Sequence, residues 1–354
     1  MGTFAPAEGM GGAGSVGMLR VALDAMGGDH APTVTVSGAV RAAREYGIEV
    51  ALVGRPDALR AELGQHDLTG LSLPIVEAAD VIEMDEQAVT AARRRTDSSI
   101  HVALRQVKEG AASAVVSAGN SGAVMTAALF VLGRVPGIER PAIATVLPTA
   151  TGRTLLIDAG ANTDPRPAHL VQFGQMGAIY MERVERVARP RVGLLANGEE
   201  PSKGTELVQA AHPLLAASGL NFVGNVEGKD ITTGVADVIL TDGFTGNVVL
   251  KLAEGVSAML LGVVRDELTR GLLTKLLAAG LRPAFGRVRA RLDYREYGGA
   301  PLLGVEGVTI LAHGRSDSLA IKNAIRVAKE AAEGGTLEAI RSLRPLTTAG
   351  RGIE

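Results

Sequence analysis

Short polar stretches with glycine, amide and carboxylate groups follow apolar runs at several places in this sequence. In residues 238–252 an apolar run leads into a loop with Asp242, Thr245 and Asn247, and apolar residues at helical spacing follow. This order predicts a strand, a tight turn and a helix. Backbone N–H groups at the start of a helix attract anions, so the turn is a candidate site for phosphate or a developing oxyanion.

The same pattern recurs after other predicted strands, at residues 24–32, 117–123 and 158–162. Glycine in such a turn often serves only to allow a positive φ. The polar side chains beside it are therefore the stronger indication of function. The candidate contacts to phosphate or substrate are Gly27, Gly28, Asp29, Gly119, Asn120, Ser121, Gly122, Asp158, Asn162, Gly243, Thr245 and Gly246.

Lys203 is a cation at the predicted start of a helix, where it opposes the helix dipole. A bound anion would explain this choice, because a charge-assisted hydrogen bond contributes about 1.5–3 kcal/mol. The alternative is an ion pair with Glu199 or Glu200. His30 follows the first strand, where it either caps a turn as a neutral side chain or takes part in proton transfer.

Composition excludes several classes of function. The 354 residues include no cysteine, which removes disulfides, thiolate metal sites and a cysteine nucleophile and fits a cytoplasmic protein. A formal charge of -2 argues against a nucleic-acid partner. No apolar run reaches the roughly 20 residues of a membrane span, and residues 1–17 lack the features of a signal peptide. No set of acids or histidines has the spacing of a metal site.

Alternation of strands and helices predicts an α/β protein of three layers, with a mostly parallel sheet between helices. Ligands bind such sheets at the carboxyl ends of strands, where the polar turns lie. We expect one catalytic domain over residues 18–342, with a helical excursion at 252–291, a disordered extension at 1–17 and a flexible tail at 343–354. The sequence lacks a P-loop motif and a dinucleotide-binding glycine motif after the first strand.

Seven motifs, in order, resemble the bacterial phosphate acyltransferase family of the PlsX type. They are VALDAMGGDHAP, SAGNSGA, DAGAN, GLLANGEEPSKG, NFVGNVEGKD, TDGFTGNVVLK and YGGAPLLGV. The resemblance implies a fold similar to phosphotransacetylases and isopropylmalate dehydrogenases, and a homodimer. It implies transfer of a fatty acyl group from acyl carrier protein to inorganic phosphate. The acyl phosphate would pass to a membrane glycerol-3-phosphate acyltransferase for phospholipid synthesis.

The residues suit this chemistry without a cofactor, a metal or an enzyme nucleophile, because phosphate is itself a nucleophile and a thiolate leaves readily. The reaction needs position and positive charge. We assign Lys203 to neutralise phosphate or the oxyanion, and Asn247 to donate to the thioester oxygen or orient phosphate. Asp242 is expected to hold the loop or Lys203, and His30 to contact phosphate or relay a proton.

A basic, leucine-rich segment lies between residues 270 and 291 and contains no acidic residue. Such a segment is typical of a helix that docks on an anionic membrane surface or on acidic acyl carrier protein. A dimer-interface or core helix is the alternative. The candidate contact residues are Leu272, Leu273, Lys275, Leu276, Leu277, Arg282 and Arg287.

Three other functions remain open at this point. One is a phosphotransacetylase acting on short acyl-CoA, and another is a hydroxy-acid phosphate dehydrogenase of similar fold. The dehydrogenase would need an acidic metal cluster that the sequence does not show. The third is a regulator at the membrane that binds acyl phosphate or phospholipid without catalysis.

Overall fold

A computed structural model describes residues 19–271, 278, 280, 281, 283–287 and 297–343 of the chain. Within these residues eleven strands form one sheet. Most are short apolar runs buried on both faces, which is typical of strands in a sheet covered by helices. The strands are β1 (Arg20–Asp24), β2 (Glu49–Gly54), β3 (Ile75–Glu77), β4 (Ala114–Ser117), β5 (Ala142–Pro148), β6 (Arg153–Ile157), β7 (Arg191–Leu195), β8 (Asn221–Val226), β9 (Val238–Leu240), β10 (Ala300–Leu303) and β11 (Val308–Leu311).

The strand order is β3-β2-β1-β4-β11-β10-β5-β6-β9-β7-β8. The first five strands of this order, from β3 to β11, pair in parallel with their neighbours. So do the last four, which are β6, β9, β7 and β8. The pairings of β10 with β11 and β5, and of β5 with β6, are antiparallel. The sheet therefore consists of two parallel blocks that run in opposite directions.

Helices connect most of these strands, and several begin at a capping side chain. Asn120, Thr205, Asp242 and Asp317 each accept hydrogen bonds from the first turn of the following helix. The described helices are α1 (Thr33–Tyr46), α2 (Pro56–Leu63), α3 (Ala88–Arg94), α4 (Ser99–Lys108), α5 (Ser121–Val131), α6 (Pro167–Arg183), α7 (Glu206–Ala216), α8 (Gly243–Thr269), α9 (Ser318–Glu333) and α10 (Thr336–Arg341).

The sheet is buried on both faces in both blocks. Along β1, Val21 and Leu23 face one apolar core while Ala22 faces another. Along β6, Leu155 packs into one core and Leu156 into the core on the opposite face. Because successive side chains of a strand point to opposite faces, this division defines the three-layer α/β architecture. The predicted fold class is thereby confirmed.

The reversal between the blocks was not predicted from the sequence. We expected the polar turns to share the carboxyl edge of one mostly parallel sheet, but the two blocks present their carboxyl ends in opposite directions. One strand between the blocks is β10, whose sequence, APLL, is too short for alternation to mark it. Three successive antiparallel pairings separate the blocks, β11 with β10, β10 with β5 and β5 with β6, and their odd number reverses the second block.

Candidate functional site

The turn after β6 is organised by the buried carboxylate of Asp158. One carboxylate oxygen accepts hydrogen bonds from the N–H groups of Gly160 at 3.0 Å and Ala161 at 2.9 Å. The other accepts from the backbone N–H of Asn162 at 2.6 Å and from its side-chain Nδ2 at 2.8 Å. Burial raises the pKa of the Asp158 carboxyl, and these donated hydrogen bonds oppose that rise.

The turn after β9 is held in the same way, by Asp242 at the start of α8. Its two carboxylate oxygens accept from the backbone N–H of Thr245 at 2.8 Å and from the Thr245 hydroxyl at 2.7 Å. The N–H of Gly243 donates to the carbonyl oxygen of Asn162 at 2.6 Å, which joins this turn to the turn after β6. The Asp242 carboxylate therefore holds the loop at the start of α8.

Close backbone contact between these two turns requires glycine. A Cβ on Gly243 would lie 2.7 Å from the Asn162 carbonyl oxygen, and a Cβ on Gly246 would overlap the carbonyl of Asp158. Neither position leaves room for a methyl group. The two glycines thus let the first turn of α8 pack directly against the turn after β6.

The hydrogen bonds of these turns change the expected mode of anion binding. The N–H groups of Gly160, Ala161, Asn162, Gly243 and Thr245 already donate within the protein. An anion at this edge must therefore rely largely on side chains, and in particular on cations. The structure brings together five of the predicted contacts here, and most of them use their N–H groups to hold one another. They are Asp158, Asn162, Gly243, Thr245 and Gly246.

Asn247 is exposed on the first turns of α8 and lies beside Gly160. Its Cβ is 3.8 Å from the point that a Cβ on Gly160 would occupy, so the missing side chain leaves space next to the amide. Gly160 adopts a φ of +146°, which favours glycine. The Asn247 amide is thus available to a ligand at the junction of the two turns.

Lys203 lies in the loop after β7, which is the sheet neighbour of β9. The loop is fixed by a hydrogen bond from the Gly204 N–H to the Asn197 side chain at 2.8 Å. Lys203 is exposed, and no carboxylate of the described residues lies within 4.0 Å of its ammonium group. Glu199, one of the two predicted alternative partners, instead lies 3.9 Å from Lys229.

A second cluster of polar turns lies at the carboxyl ends of β1, β4 and β11. The buried Asp24 carboxylate accepts a hydrogen bond of 2.7 Å from Ser117, and burial raises the pKa of Asp24. Gly27 packs so closely on this pair that a Cβ would lie 2.6 Å from the Asp24 carboxylate. The N–H of Asp29 donates to the carbonyl of Gly314 at 2.8 Å, which ties in the turn after β11.

Other predicted residues of this cluster have mainly local roles. The Asn120 side chain accepts from the N–H groups of Gly122 and Ala123 at 3.1 and 3.2 Å, and so caps α5. Its Nδ2 donates to two backbone carbonyls of residues 84–86, so the amide is fully engaged. Ser121, the first residue of α5, and His30, beyond β1, are both exposed.

Helix α8 connects the two clusters. Its first turn contacts the turn after β6, and eleven residues later Glu254 lies 3.4 Å from Arg315 in the turn after β11. At about 1.5 Å per residue, these two contact points lie roughly 16 Å apart along the helix. His313 in the same turn has its pKa lowered, chiefly by burial. Lys203 and Asn247 therefore belong to one cluster, and His30 and Gly119 belong to the other.

Helix α8 also presents an unusual exposed surface. It is long and apolar enough to cross a membrane by length and composition, and none of its apolar window is buried within the protein. The sequence did not mark it as a span, because Lys251 and Glu254 interrupt the apolar run. The residues predicted for membrane or carrier contact lie outside the described residues, except Arg287, which is exposed. The exposed apolar side chains of α8 are Phe244, Val248, Leu252, Val256, Met259, Leu260, Val263 and Val264.

Sequence reasoning missed a cleft of about 620 Å³ between α5 and the turn after β6. Three guanidinium groups line it, from Arg134, Arg140 and Arg166, together with Glu139 and the buried His169. The signal in the sequence was weak, because these residues are spread over 36 positions and belong to no strand-end glycine turn.

Solved structures of other proteins share this fold. A phosphotransacetylase from Streptococcus pyogenes covers 89% of this chain and 94% of its own, with a TM-score of 0.61 at 14% identity. A 4-hydroxythreonine-4-phosphate dehydrogenase from Klebsiella pneumoniae covers 89% of this chain and 99% of its own, with a TM-score of 0.53 at 15% identity. At these identities the likeness defines the fold alone.

Sequence relatives define the family. A family model described as fatty acid synthesis protein matches residues 19–338. The phosphate acyltransferase of Pelotomaculum thermopropionicum is 52% identical over 324 residues, which cover 92% of this chain and 94% of the relative. That of Desulfitobacterium hafniense strain Y51 is 51% identical over 333 residues, with 94% and 99% covered. This chain belongs to the phosphate acyltransferase family and is an acyltransferase.

Proposed function

We propose that this acyltransferase moves a long-chain acyl group from acyl carrier protein to inorganic phosphate at the edge formed by β6, β9 and β7. These strands are parallel neighbours, so the turns after them begin about 5 Å apart from one strand to the next. The observation that carries the proposal is the accessible Asn247 amide between two interlocked turns. Lys203, a cation with no carboxylate partner in the described part of the chain, lies in the loop after β7, the strand that pairs with β9.

The proposed reaction is direct attack of a phosphate oxygen on the thioester carbon. A C–O bond forms, the C–S bond breaks, and the electron pair leaves with the carrier thiolate. Lys203 neutralises the entering phosphate or the tetrahedral oxyanion, and the Asn247 amide donates to the thioester oxygen or orients phosphate. Asp242 keeps Asn247 in position through its cap on α8. A covalent enzyme intermediate is not required, which fits a chain without cysteine.

His30 and the glycine turns near it are proposed to contact phosphate or relay a proton from the second cluster. The contacts that α8 makes with the two clusters lie about 16 Å apart along the helix. A direct role for His30 therefore requires that the substrate span both clusters. The candidate contacts in that cluster are Gly27, Gly28, Asp29, Gly119, Asn120, Ser121 and Gly122.

The proposed cellular setting is cytoplasmic, with peripheral attachment to an anionic membrane surface and assembly as a homodimer. The exposed apolar face of α8 supports this proposal, because contiguous apolar patches mark sites of contact with proteins or membranes. The basic segment of 270–291 continues from the end of this helix. From that position, acyl phosphate would pass to a membrane glycerol-3-phosphate acyltransferase.

Release of thiol from acyl carrier protein tests the proposed function. We expect release that depends on added phosphate, with no turnover of nicotinamide, and formation of a hydroxylamine-reactive acyl phosphate. Faster turnover of acyl-CoA would instead favour a phosphotransacetylase. Absence of thiol release from both donors, with retained binding to vesicles of anionic lipid, would favour the regulator.

A further inference from the structure

The arginine cleft beside the turn after β6 combines positive charge with an apolar wall. Arg134, Arg140 and Arg166 contribute three guanidinium groups against one carboxylate, that of Glu139. Met125 and Leu129 of α5 line the same cleft. A ligand that matches both surfaces has an anionic head and an alkyl chain.

The arginines project from backbone that is held in place. The loop between α5 and β5 buries Val135, and the Val135 N–H donates to the carbonyl of Gly304 at 3.0 Å. Further along, the N–H of Glu139 donates to the Gln172 side chain at 3.0 Å, and Gln172 donates to the Gly137 carbonyl at 2.8 Å. The loop is thus fastened to α6 as well as to the sheet.

The Glu139 carboxylate does not cancel the charge of all three arginines. It forms an ion pair with Arg166 and a 3.0 Å hydrogen bond with His169 Nε2. The Nδ1 atom of His169 accepts from the Arg166 backbone N–H at 3.0 Å, which holds the ring beside Glu139. Glu139 is therefore engaged on the α6 side of the cleft.

Arg134 and Arg140 are the other two cations that line the cleft. Arg134 donates to the main-chain carbonyl of Glu139 at 2.6 Å, which orients its guanidinium without neutralising it. Arg140 is exposed, and its guanidinium makes no hydrogen bond or ion pair with the described part of the chain. Guanidinium groups suit phosphate because their planar donors bind its oxygens in pairs.

We propose that this cleft binds a phosphate monoester or anhydride on an alkyl chain, which for this enzyme is the acyl phosphate product. The inference rests on the proposed function for the identity of the product, but the binding chemistry rests on the cleft alone. The cleft shares Asn162 with the turn after β6, whose other side contacts α8. Product formed at that turn can therefore move its head into the cleft without leaving the protein.

Calorimetric titration with octyl phosphate below its micelle concentration tests the site. Arg140→Ala is expected to weaken binding about 10- to 150-fold, the range for loss of one charged hydrogen bond. Arg55→Ala is the matched control, because Arg55 is also exposed and unpaired within the described residues but follows β2 in the other block. Arg140→Lys retains the charge and is expected to bind with intermediate affinity.

The alkyl chain is tested separately. Ethyl phosphate should bind more weakly than octyl phosphate, by about fourfold for each methylene that the longer ligand buries. Leu129→Ser should reduce this preference, whereas Leu252→Ser on the exposed face of α8 should not. Equal affinity of the two phosphates, or loss of binding only in Leu252→Ser, would overturn the proposal.

Two further results would overturn the assignment of the cleft to the product. One is equal binding of octyl phosphate by wild type, Arg140→Ala and Arg55→Ala, when thermal unfolding shows that all three proteins are folded. The other is tighter binding of pantetheine 4′-phosphate than of octyl phosphate, which would assign the cleft to the carrier arm. Absence of phosphate-dependent thiol release in wild type, with octyl phosphate binding intact, would instead reject the proposed function alone.

Discussion

Replacement of Lys203 by alanine is the most informative single change at the proposed reaction edge. Lys203 is exposed, and its ammonium group has no carboxylate of the described residues within 4.0 Å. Its removal therefore breaks no ion pair of the folded protein within those residues. We expect the unfolding temperature to stay unchanged, so that any loss of turnover reflects contact with the reacting groups.

The size of the loss follows from the contact that Lys203 is proposed to make. A hydrogen bond between charged groups contributes about 1.5–3 kcal/mol, which corresponds to a rate change of about 10- to 150-fold. If Lys203 binds phosphate equally in the ground state and the transition state, the KM for phosphate rises and kcat is retained. If it stabilises the oxyanion, kcat falls together with kcat/KM.

Lys229→Ala provides a matched control for this measurement. Lys229 is likewise an exposed lysine, in the loop after β8 next to β7, but it pairs with Glu227 and lies 3.9 Å from Glu199. Initial rates of thiol release from acylated carrier protein, at several phosphate concentrations, compare the two variants with wild type. Near-normal rates in a folded Lys203→Ala protein, or equal losses in both variants, would refute the assignment.

Further predictions concern stability. Gly246→Ala should lower both the unfolding temperature and turnover, because its Cβ would overlap the Asp158 carbonyl, whereas Gly255→Ala in open space on the same helix should stabilise by up to about 1 kcal/mol. Thermal unfolding distinguishes the two, and equal effects would contradict the packing argument. The raised pKa of Asp24 means that the folded state holds its proton more tightly, so stability falls as pH rises from 3.8 through the folded pKa. Asp24→Asn should flatten that decline in unfolding free energy measured between pH 4 and 8, and an unchanged slope would contradict it.

Much of the fold was predictable because its elements follow strong local rules. The strand, turn and helix predicted for residues 238–252 are β9, the Asp242 turn and the start of α8. Proline at the first helical position is another local signal, and Pro56 and Pro167 begin α2 and α6. Apolar runs and caps are local signals, and the structure retains them.

The direction of the second block could not be obtained in this way. It depends on which strands become neighbours, and β10 joins the sheet more than 140 residues after its partner β5. A four-residue apolar run has no period that distinguishes it from a buried helix segment. The separation of His30 from Lys203 follows from that reversal, and it was therefore not predicted.

The turns show a second limit of sequence reasoning. Asp158, Asn120 and Asp242 were chosen because they follow strands and precede helices, and the structure places all three there. Residues of these types are also the preferred partners of free N–H groups, and they occupy those groups themselves. A sequence pattern of this kind does not separate a turn that binds an anion from a turn that caps itself.

Exchange of free carrier protein into the acylated pool tests direct attack by phosphate most directly. Acylated carrier protein is mixed with isotopically labelled free carrier and with the enzyme, with and without phosphate, and label in the acylated carrier is measured by mass spectrometry. Direct attack predicts no exchange without phosphate, and exchange together with acyl phosphate when phosphate is present. Exchange at the turnover rate in the absence of phosphate would show a covalent acyl-enzyme and contradict the account.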